Sequence, residues 1–295
     1  MRRRFINNIG ADVIYYTSTD AFIISPAKNS LGTSVVSNTY GKTGGKIVCR
    51  GKVIIIGIGA FSLRSTLKTI TIPRNVIEIS GNAFYGCNNL TTMTIPDRVT
   101  SIGNSAFEGC ESLTSVTIPD SVTSIGEWAF CGCSSLTSVT IPDSVTEIGW
   151  SAFSDCSSLM SVTIPNSVTD IEISAFSDCS SLMSVTIPNS VTEIGDSAFN
   201  GCSSLTSVTI PDSVIEIGNR AFYDCFNLLS VYCKATTPPT LGGNYVFVGN
   251  GSGRKIYVPS GSVDAYRVAV GWSKYANDIV GYDFENDTVV DDGED

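Results

Sequence analysis

Hydrophobic and polar positions recur along most of this chain with a period of 23 residues. The pattern is clearest in residues 113–133, where a short apolar stretch, a proline turn and a second apolar segment follow one another. A fixed period of this length is the sequence signature of a solenoid. We therefore expect one continuous stack of coils. The phenylalanine of each copy keeps this register through eight copies, at Phe61, Phe84, Phe107, Phe130, Phe153, Phe176, Phe199 and Phe222.

The first half of each copy predicts a short β-strand. Val116 and Ile118 face the same side of an extended chain, with the β-branched Thr117 between them. Pro119 follows and ends the strand, because proline has no backbone N–H to donate. An Asp or Asn comes next in most copies, as in Asp120. This row favours a turn in which the side chain bonds its own backbone, and a calcium-binding ladder is the alternative.

The second half of each copy predicts a short helical or 3-10 turn. Val122, Ile125, Ala129 and Phe130 are separated by steps of three, four and one residues, which places their apolar side chains on one side of such a turn. Strands on one face and helical turns on the other then enclose a continuous core. A single copy gains on the order of 10 kcal/mol from burial, and the entropy of ordering it nearly cancels that gain. Only the stack is expected to fold.

Seven cysteines share the period and predict a second buried ladder. A free cysteine packs as a small hydrophobe, and parallel side chains on successive coils lack the geometry of a disulfide. Cys131 precedes Cys133 by two residues, lies outside the ladder and is expected to be an exposed thiol rather than half of a metal site. The ladder consists of Cys87, Cys110, Cys133, Cys156, Cys179, Cys202 and Cys225.

The repeated pattern L-x-x-V-x-I-P-x-S-V-x-x-I-G-x-x-A-F-x-x-C resembles that of the BspA-like class of leucine-rich repeat proteins. The match extends from residue 44 to about residue 233. The resemblance implies a right-handed leucine-rich repeat solenoid with short parallel β-strands on one face and caps at both ends. It also implies attachment, since relatives are commonly cell-surface proteins that bind host matrix proteins or other cells.

The N-terminal part of the chain does not follow the repeat. Residues 1–43 predict a β-rich cap, with short strands at residues 12–16 and 21–24 separated by polar turns. Residues 44–227 then form eight copies, of which the first, residues 44–66, matches the repeat pattern only in part.

The C-terminal part predicts a second cap. Residues 228–283 read as strand, loop, strand and helix, with Val263, Tyr266 and Val270 on the helix face that closes the last coil. Residues 284–295 are strongly acidic and predict a disordered tail.

Composition and charge restrict the partners. The chain has 295 residues, of which 42% are hydrophobic and 16% charged, and its formal net charge is -10. The electrostatic field of so acidic a protein repels phosphate backbones, so we expect no nucleic-acid partner. No apolar run approaches the roughly 18 residues that a membrane span requires, and we expect no membrane insertion.

The start of the chain bears on localisation. Arg2, Arg3 and Arg4 resemble the basic start of a signal peptide, but polar residues follow from Asn7 onward where an apolar segment should stand. No secretory signal is predicted. The cell-surface location that the resemblance implies therefore has an alternative, a cytoplasmic or virion-associated structural or scaffold protein.

The residue types weigh against catalysis. The chain contains no histidine, which removes Ser-His-Asp and Cys-His arrangements and the commonest transition-metal ligand. We expect no cofactor, no metal and no enzymatic activity. A hydrolase would need a pair of carboxylates in a cleft, and no particular pair stands out in the sequence.

Candidate ligand-binding residues follow the Ile-Gly step of each copy, at positions that the repeat does not fix. Exposed aromatics beside carboxylates are typical of interaction surfaces, and we expect a protein or glycan ligand there. The alternative is that each tryptophan folds over the edge of its coil. The candidates are Glu127, Trp128, Trp150, Glu172, Asp196 and Arg220.

Overall fold

The computed structural model describes residues 12–290, and its central part is a stack of coils built from strands of two lengths. Each coil contributes one longer and one two-residue strand, so the two kinds alternate along the chain. The predicted solenoid is confirmed. In chain order, after three N-terminal strands, these elements are β4 (Ile55–Ile56), β5 (Leu67–Ile70), β6 (Glu78–Ile79), β7 (Thr92–Thr94), β8 (Ser101–Ile102), β9 (Ser115–Thr117), β10 (Ser124–Ile125), β11 (Ser138–Thr140), β12 (Glu147–Ile148), β13 (Ser161–Thr163), β14 (Asp170–Ile171), β15 (Ser184–Thr186), β16 (Glu193–Ile194), β17 (Ser207–Ile210) and β18 (Glu216–Ile217).

The odd-numbered strands of this set form the face that the sequence predicts. They pair in parallel with no slip in three separate groups, β5–β11, β13–β15 and β17–β19, so that Val116 lies opposite Val139, one period later. Val116 is buried and Ser115 and Thr117 are exposed, which is the alternation expected of a strand with one covered face. The even-numbered strands form a second parallel ladder that the sequence analysis did not predict.

A turn follows Pro119 as predicted, with the N–H of Val122 donating to the Pro119 carbonyl at 3.0 Å, but among the described residues the Asp120 side chain makes no bond to its own backbone. The serine inside this turn also connects coils. Ser121 Oγ donates to the carbonyl of Val99 on the preceding coil at 2.6 Å, and four later serines repeat this bond.

The predicted helical turn takes the form of successive single turns. The N–H of Ala129 donates to Gly126 and that of Cys131 to Trp128, in i to i+3 turns of 3.2 and 3.1 Å. Between them, the N–H of Phe130 donates to Ala152 on the next coil at 2.8 Å. Because alternate donors leave the coil, a continuous α-helix cannot form here, and each coil is bonded to the next.

A continuous stack of phenylalanines occupies the core. The rings of Phe61 through Phe222 are fully buried, and neighbouring centroids lie 5.2–5.6 Å apart in nearly parallel planes. The stack continues into the C-terminal region, where Phe247 lies 5.7 Å from Phe222. The predicted ladder of free, buried cysteines runs beside it. Cys133 donates its thiol proton to the carbonyl of Phe107, and burial raises the pKa of Cys87 to about 12.

The N-terminal end is covered by antiparallel strands. β1 pairs with β3 on one side and with β5 on the other, and so joins the cap to the odd-numbered ladder. The predicted strand at residues 12–16 is confirmed, but the one at residues 21–24 is wrong. Ala21 adopts a left-handed φ of 60° and Asp20 accepts the N–H of Phe22, so the chain turns there. The strands are β1 (Val13–Ser18), β2 (Val35–Gly41) and β3 (Gly44–Cys49).

The C-terminal end is closed by a mixed cap around Trp272, which is fully buried. Val263 and Tyr266 are buried as predicted, but Val270 is 93% exposed and its predicted role is wrong. The helix ends at Val268 and residue 269 is extended, so the helical spacing no longer applies. The elements are β19 (Ser230–Cys233), β20 (Thr240–Leu241), β21 (Lys255–Pro259), a 3-10 turn (Ser260–Ser262), α1 (Val263–Val268), a second 3-10 turn (Trp272–Asp278), β22 (Ile279–Asp283) and β23 (Thr288–Val289).

Two predicted segments lie partly or wholly outside the described residues. β23 pairs antiparallel with β22 inside the segment predicted as an acidic tail, whose last residues, 291–295, are not described. Arg2, Arg3 and Arg4 also lie outside the described residues. Between residues 12 and 290, no helix is long and apolar enough to cross a membrane.

Candidate functional site

The candidate residues occupy three consecutive positions after each two-residue strand, which we call edge positions one, two and three. Edge position one is glycine in most copies, such as Gly126, and is Glu172 in one. Edge position two varies, and edge position three is most often serine. Of the predicted residues, Glu172 lies at edge position one, Glu127, Trp150 and Asp196 at edge position two, and Trp128 and Arg220 at edge position three.

Edge position three has a left-handed backbone in eight successive copies. Its φ is 53° at Trp128 and 59° at Arg220, and the other copies place Gly, Asn or Ser there at 53–61°. A bulky L-residue in this conformation costs roughly 1–2 kcal/mol. Backbone preference therefore does not explain Trp128 or Arg220. Strained residues of this kind cluster at functional sites, which favours a role for these two side chains.

The two candidate tryptophans are neighbours. The N–H of Trp128 donates to the carbonyl of Trp150 at 2.8 Å, and the residues are 40% and 47% exposed. Trp150 is held in place by its own side chain, because Nε1 donates to Glu172 Oε2 at 2.7 Å.

Glycine at edge position one permits close approach of the coils. A Cβ at Gly149 would lie 2.6 Å from the backbone nitrogen of Glu127, a distance that real Cβ atoms do not reach. The N–H of Gly149 bonds the carbonyl of Ile125 at 2.9 Å, and the corresponding bonds of other copies measure 2.6–2.8 Å. Ser80 is small enough to keep this bond, at 2.8 Å.

Glu172 interrupts the even-numbered ladder. Among the described residues, its N–H makes no bond to Ile148, and β12 does not pair with β14. The ladder therefore divides into β4–β12 and β14–β20. The odd-numbered strands β11 and β13 are also unpaired at this boundary, whereas the following turn stays bonded, with the N–H groups of Ser151 and Phe153 donating to Ile173 and Ala175 at 2.9 Å. The two coils are therefore unpaired at their strands and bonded at the turn that follows; we call the break between β12 and β14, beside Trp150 and Glu172, the wedge.

A groove of about 480 Å³ begins at this wedge and crosses the next coils; we call it the acidic groove. Trp150 and Ile173 supply exposed apolar surface, 47% and 43% exposed respectively. The remaining lining is dominated by carboxylates. These are Asp170, Glu172, Glu193, Asp196 and Glu216.

Three of these carboxylates stand in register on adjacent parallel strands, with Glu193 opposite Asp170 on one side and Glu216 on the other. Neighbouring strands lie about 4.8 Å apart, so the negative charges repel one another. Burial raises the pKa of Glu193, and the charges of Glu216 and Asp170 raise it further. The surface is therefore built to attract positive charge.

The structure brings together only part of the predicted set. Trp150, Glu172 and Asp196 line the acidic groove, and Trp128 is adjacent to it. Glu127 lies outside the lining and exchanges hydrogen bonds with Asn104.

Arg220 also lies outside the groove. Its guanidinium lies 5.6 Å from the ring centres of both Tyr223 and Tyr245, near the C-terminal cap. Lys274 approaches the ring of Tyr245 to 5.3 Å.

Sequence reasoning missed Asp170, Glu193 and Glu216. The available signal was the residue immediately before the isoleucine of each two-residue strand, which is acidic in four successive copies from Glu147 onward. Because this residue looked like one of many polar positions, its alignment across coils was visible only in the fold.

Cys131 and possible metal-binding clusters are the remaining candidates for chemistry. Cys131, predicted to be an exposed thiol, is half-buried, and burial together with the charges of Asp155 and Glu108 raises its pKa to about 11. Its thiol therefore stays protonated near neutral pH and is a poor nucleophile. Within residues 12–290 no cluster of three or more His, Cys, Asp or Glu side chains is arranged to hold a metal ion.

Comparisons with known proteins agree with this architecture. None of the curated proteins compared with the chain matches it significantly. A leucine-rich repeat protein from Bacteroides ovatus is 32% identical, with a TM-score of 0.61 over 77% of this chain and 62% of that protein. The Treponema pallidum leucine-rich repeat protein is 33% identical, with a TM-score of 0.54 over 68% of this chain and 87% of that protein. This chain thus spans less than two thirds of the B. ovatus protein.

The family model for the BspA type leucine-rich repeat region matches residues 37–160, 103–229 and 171–265, with six copies. Together these matches cover the whole array and part of the C-terminal cap. In the structure, the matched region corresponds to the stacked coils with their 23-residue register and their phenylalanine ladder. The chain belongs to the BspA type leucine-rich repeat family.

Proposed function

We propose that this protein is a non-enzymatic binding module whose acidic groove captures a protein ligand through a segment rich in lysine and arginine. The observation that supports the proposal is the wedge at Glu172, which opens the solenoid beside Trp150 and joins exposed aromatic surface to a row of carboxylates. A basic segment on a matrix protein or on another cell is the setting we propose, and the family resemblance supports adhesion of this kind.

The charge of the groove favours a basic protein segment over a glycan. Five carboxylates line it, and their repulsion is relieved when a cation arrives. An arginine side chain suits both parts of the surface, since its guanidinium pairs with carboxylates and stacks on the face of a tryptophan. A neutral glycan would leave the charge of Glu193 and its neighbours uncompensated.

The same observations support a binding role rather than catalysis. Histidine is absent from the chain, and the ladder cysteines have raised pKa values because they are buried. The acidic groove is an open surface on a stack of coils, which suits recognition of an extended segment.

Binding of synthetic peptides to the full chain tests the proposal. We expect saturable binding of an arginine- and serine-containing peptide and none of a glutamate- and serine-containing peptide of equal length. Affinity should fall steeply when salt is raised, because exposed charges are screened. The Glu193→Gln/Glu216→Gln variant should bind about tenfold more weakly or worse.

Asp143→Asn serves as a matched control, because Asp143 is an exposed carboxylate in the Pro turn of the array and does not line the groove. Its affinity should equal that of the unmodified protein. Absence of saturable binding to any basic peptide, or equal affinity in the Glu193→Gln/Glu216→Gln variant, would refute the proposal.

A further inference from the structure

The charges of this protein are segregated along the chain. Residues 1–100 contain 12 Lys and Arg against 4 Asp and Glu. Residues 101–230 contain one basic residue, Arg220, against 15 acidic ones. A net charge of -10 therefore conceals a basic N-terminal region attached to a strongly acidic array.

A second groove, of about 660 Å³, lies in the basic region, where β5 and β7 end; we call it the basic groove. Ile72 and Ile95 are buried beneath it, Thr71 and Thr94 are exposed along it, and Arg74 and Arg98 line it as well. Both arginines are exposed, and neither has an ion-pair or hydrogen-bond partner in the part of the chain that the structure describes. Asp97 is the one acidic residue of the lining.

Packing does not explain these arginines. Arg98 occupies the position at which Ser121 and its later counterparts donate a hydrogen bond to the preceding coil, so this copy gives up that bond. Arg74 occupies the position that is Asp or Asn in six later copies. Lys68 extends the positive charge along β5, where later copies have threonine, methionine or leucine.

We infer that the basic groove of one molecule docks on the acidic groove of a second copy of this chain, so that the protein self-associates. Charge complementarity favours a second copy as the partner, because the chain itself carries the acidic surface that the two arginines fit. The inference goes beyond the proposed function, because it uses a basic surface that the capture of a ligand does not require.

The contact forms between molecules. At least three coils separate Arg98 from Asp170, and the two grooves lie at different parts of the coil, one at the Pro turn and the other at the two-residue strand and edge positions. The contact is therefore heterologous, with different surfaces on the two partners. Such a contact can repeat and extends into chains of molecules unless the geometry closes a ring.

Sedimentation velocity of the full chain over a range of concentrations tests the inference. We expect concentration-dependent association in about 50 mM NaCl that is lost in about 1 M NaCl, where the screening length falls to about 3 Å. Arg74→Glu/Arg98→Glu should be monomeric throughout. Glu193→Lys/Glu216→Lys should be monomeric as well.

Mixing the two charge-reversed proteins provides the decisive measurement. One retains an intact acidic groove and the other an intact basic groove, so the mixture should associate although neither component does so alone. The Lys234→Glu/Lys255→Glu variant has the same net charge as Arg74→Glu/Arg98→Glu, and its exposed lysines lie outside both grooves. It should associate like the unmodified protein.

Monomers at every concentration in low salt, or unchanged association in Arg74→Glu/Arg98→Glu, would overturn the inference. Equal loss in the Lys234→Glu/Lys255→Glu control would do the same, by showing that net charge alone is responsible. The Arg74→Glu/Arg98→Glu protein keeps its acidic groove, so its affinity for the basic peptide tests the proposed function separately.

Discussion

The indole nitrogen of Trp150 donates a hydrogen bond to the carboxylate of Glu172 across the boundary between two coils, at the point where the even-numbered strands lose their pairing. Glu172 thus lies at the point where the pairing between two coils is lost, and its side chain orients the exposed Trp150. The groove beside them lies where Glu172 replaces the glycine of edge position one.

Replacing Glu172 by glycine should close the wedge. The N–H of residue 172 would then reach the carbonyl of Ile148, and β12 would pair with β14. The regained backbone hydrogen bonds, at about 0.5–1.5 kcal/mol each, outweigh the roughly 0.5–1 kcal/mol that glycine costs in chain entropy. We expect a free energy of unfolding that is unchanged or about 1 kcal/mol higher, measured by urea titration.

The same variant should lose most of its affinity for the basic peptide. Glu172→Gln provides the contrast, since it keeps the bulk and the acceptor for Trp150 Nε1 while removing one charge. It should leave the coils apart and reduce affinity only modestly. Undiminished binding by Glu172→Gly would show that the wedge does not make the binding surface.

Trp128→Asn should separate stability from binding. Asparagine tolerates the left-handed φ of 53° at this position, so the substitution removes a strain of about 1 kcal/mol. The free energy of unfolding should stay constant or rise, while peptide affinity falls. As a control, Ser105→Asn makes the same kind of change at the same position of another copy, and it should leave the peptide affinity unchanged. A large loss of stability in Trp128→Asn would mean that the indole is a packing residue.

Glu193→Gln should raise the melting temperature near neutral pH. The pKa of Glu193 is raised in the folded protein, so the folded state binds more protons than the unfolded state as pH rises from the ordinary value of 4.5. The free energy of unfolding therefore falls as the pH rises above 4.5 toward the raised pKa of Glu193. Glutamine does not titrate, so the variant lacks this loss of stability. Thermal melts in low salt should show the difference near neutral pH and lose it below pH 4.5. A higher melting temperature of equal size at both pH values would contradict this electrostatic origin.

Phe176→Ala should destabilise the array strongly. The ring is fully buried between Phe153 and Phe199, with centroids 5.6 and 5.5 Å away. Truncating such a side chain costs about 3–5 kcal/mol. Thr163→Ala, on an exposed position of β13, should change the free energy of unfolding by less than about 0.5 kcal/mol. Similar urea midpoints for the two variants would rule out the stack as the main source of stability.

Deleting residues 159–181 removes one whole copy and preserves the 23-residue register. The protein should still unfold cooperatively, since each coil contacts only its neighbours. Gly195 would then follow Gly149 on the next coil, so the wedge and most of the peptide affinity should disappear. Circular dichroism during a thermal melt and a binding titration provide the two readouts; a broad, non-cooperative melt would contradict the modular stack.

The sequence predicts the regular part of this fold because the phenylalanine and cysteine ladders depend only on the period. It predicts the two-residue strands less well, since Ser124–Ile125 is too short to show an alternating pattern. Glu172 was visible as the exception to a row of glycines. Its consequence was not, because the clash it avoids is with backbone atoms of the preceding coil, and no local pattern encodes that distance.

The errors at the two ends have related causes. Residues 21–24 look like a strand by composition, but Ala21 turns left-handed and the adjacent segment is bonded through side chains such as Asn38. Val270 fits a helical spacing, but the helix stops two residues earlier. Both ends lack a neighbouring copy, so the register that constrains the array does not constrain them.

The placement of the three tryptophans gives the molecule two separate optical reporters. Trp128 and Trp150 lie in water at the acidic groove, while Trp272 is sealed in the C-terminal cap. Ligand arrival should change the emission of the exposed pair, and caesium ions, which the carboxylates attract, should quench that pair while sparing Trp272. Opening of the cap should instead shift the emission of Trp272 to longer wavelength, so occupancy of the groove and integrity of the cap can be followed in one unlabelled sample.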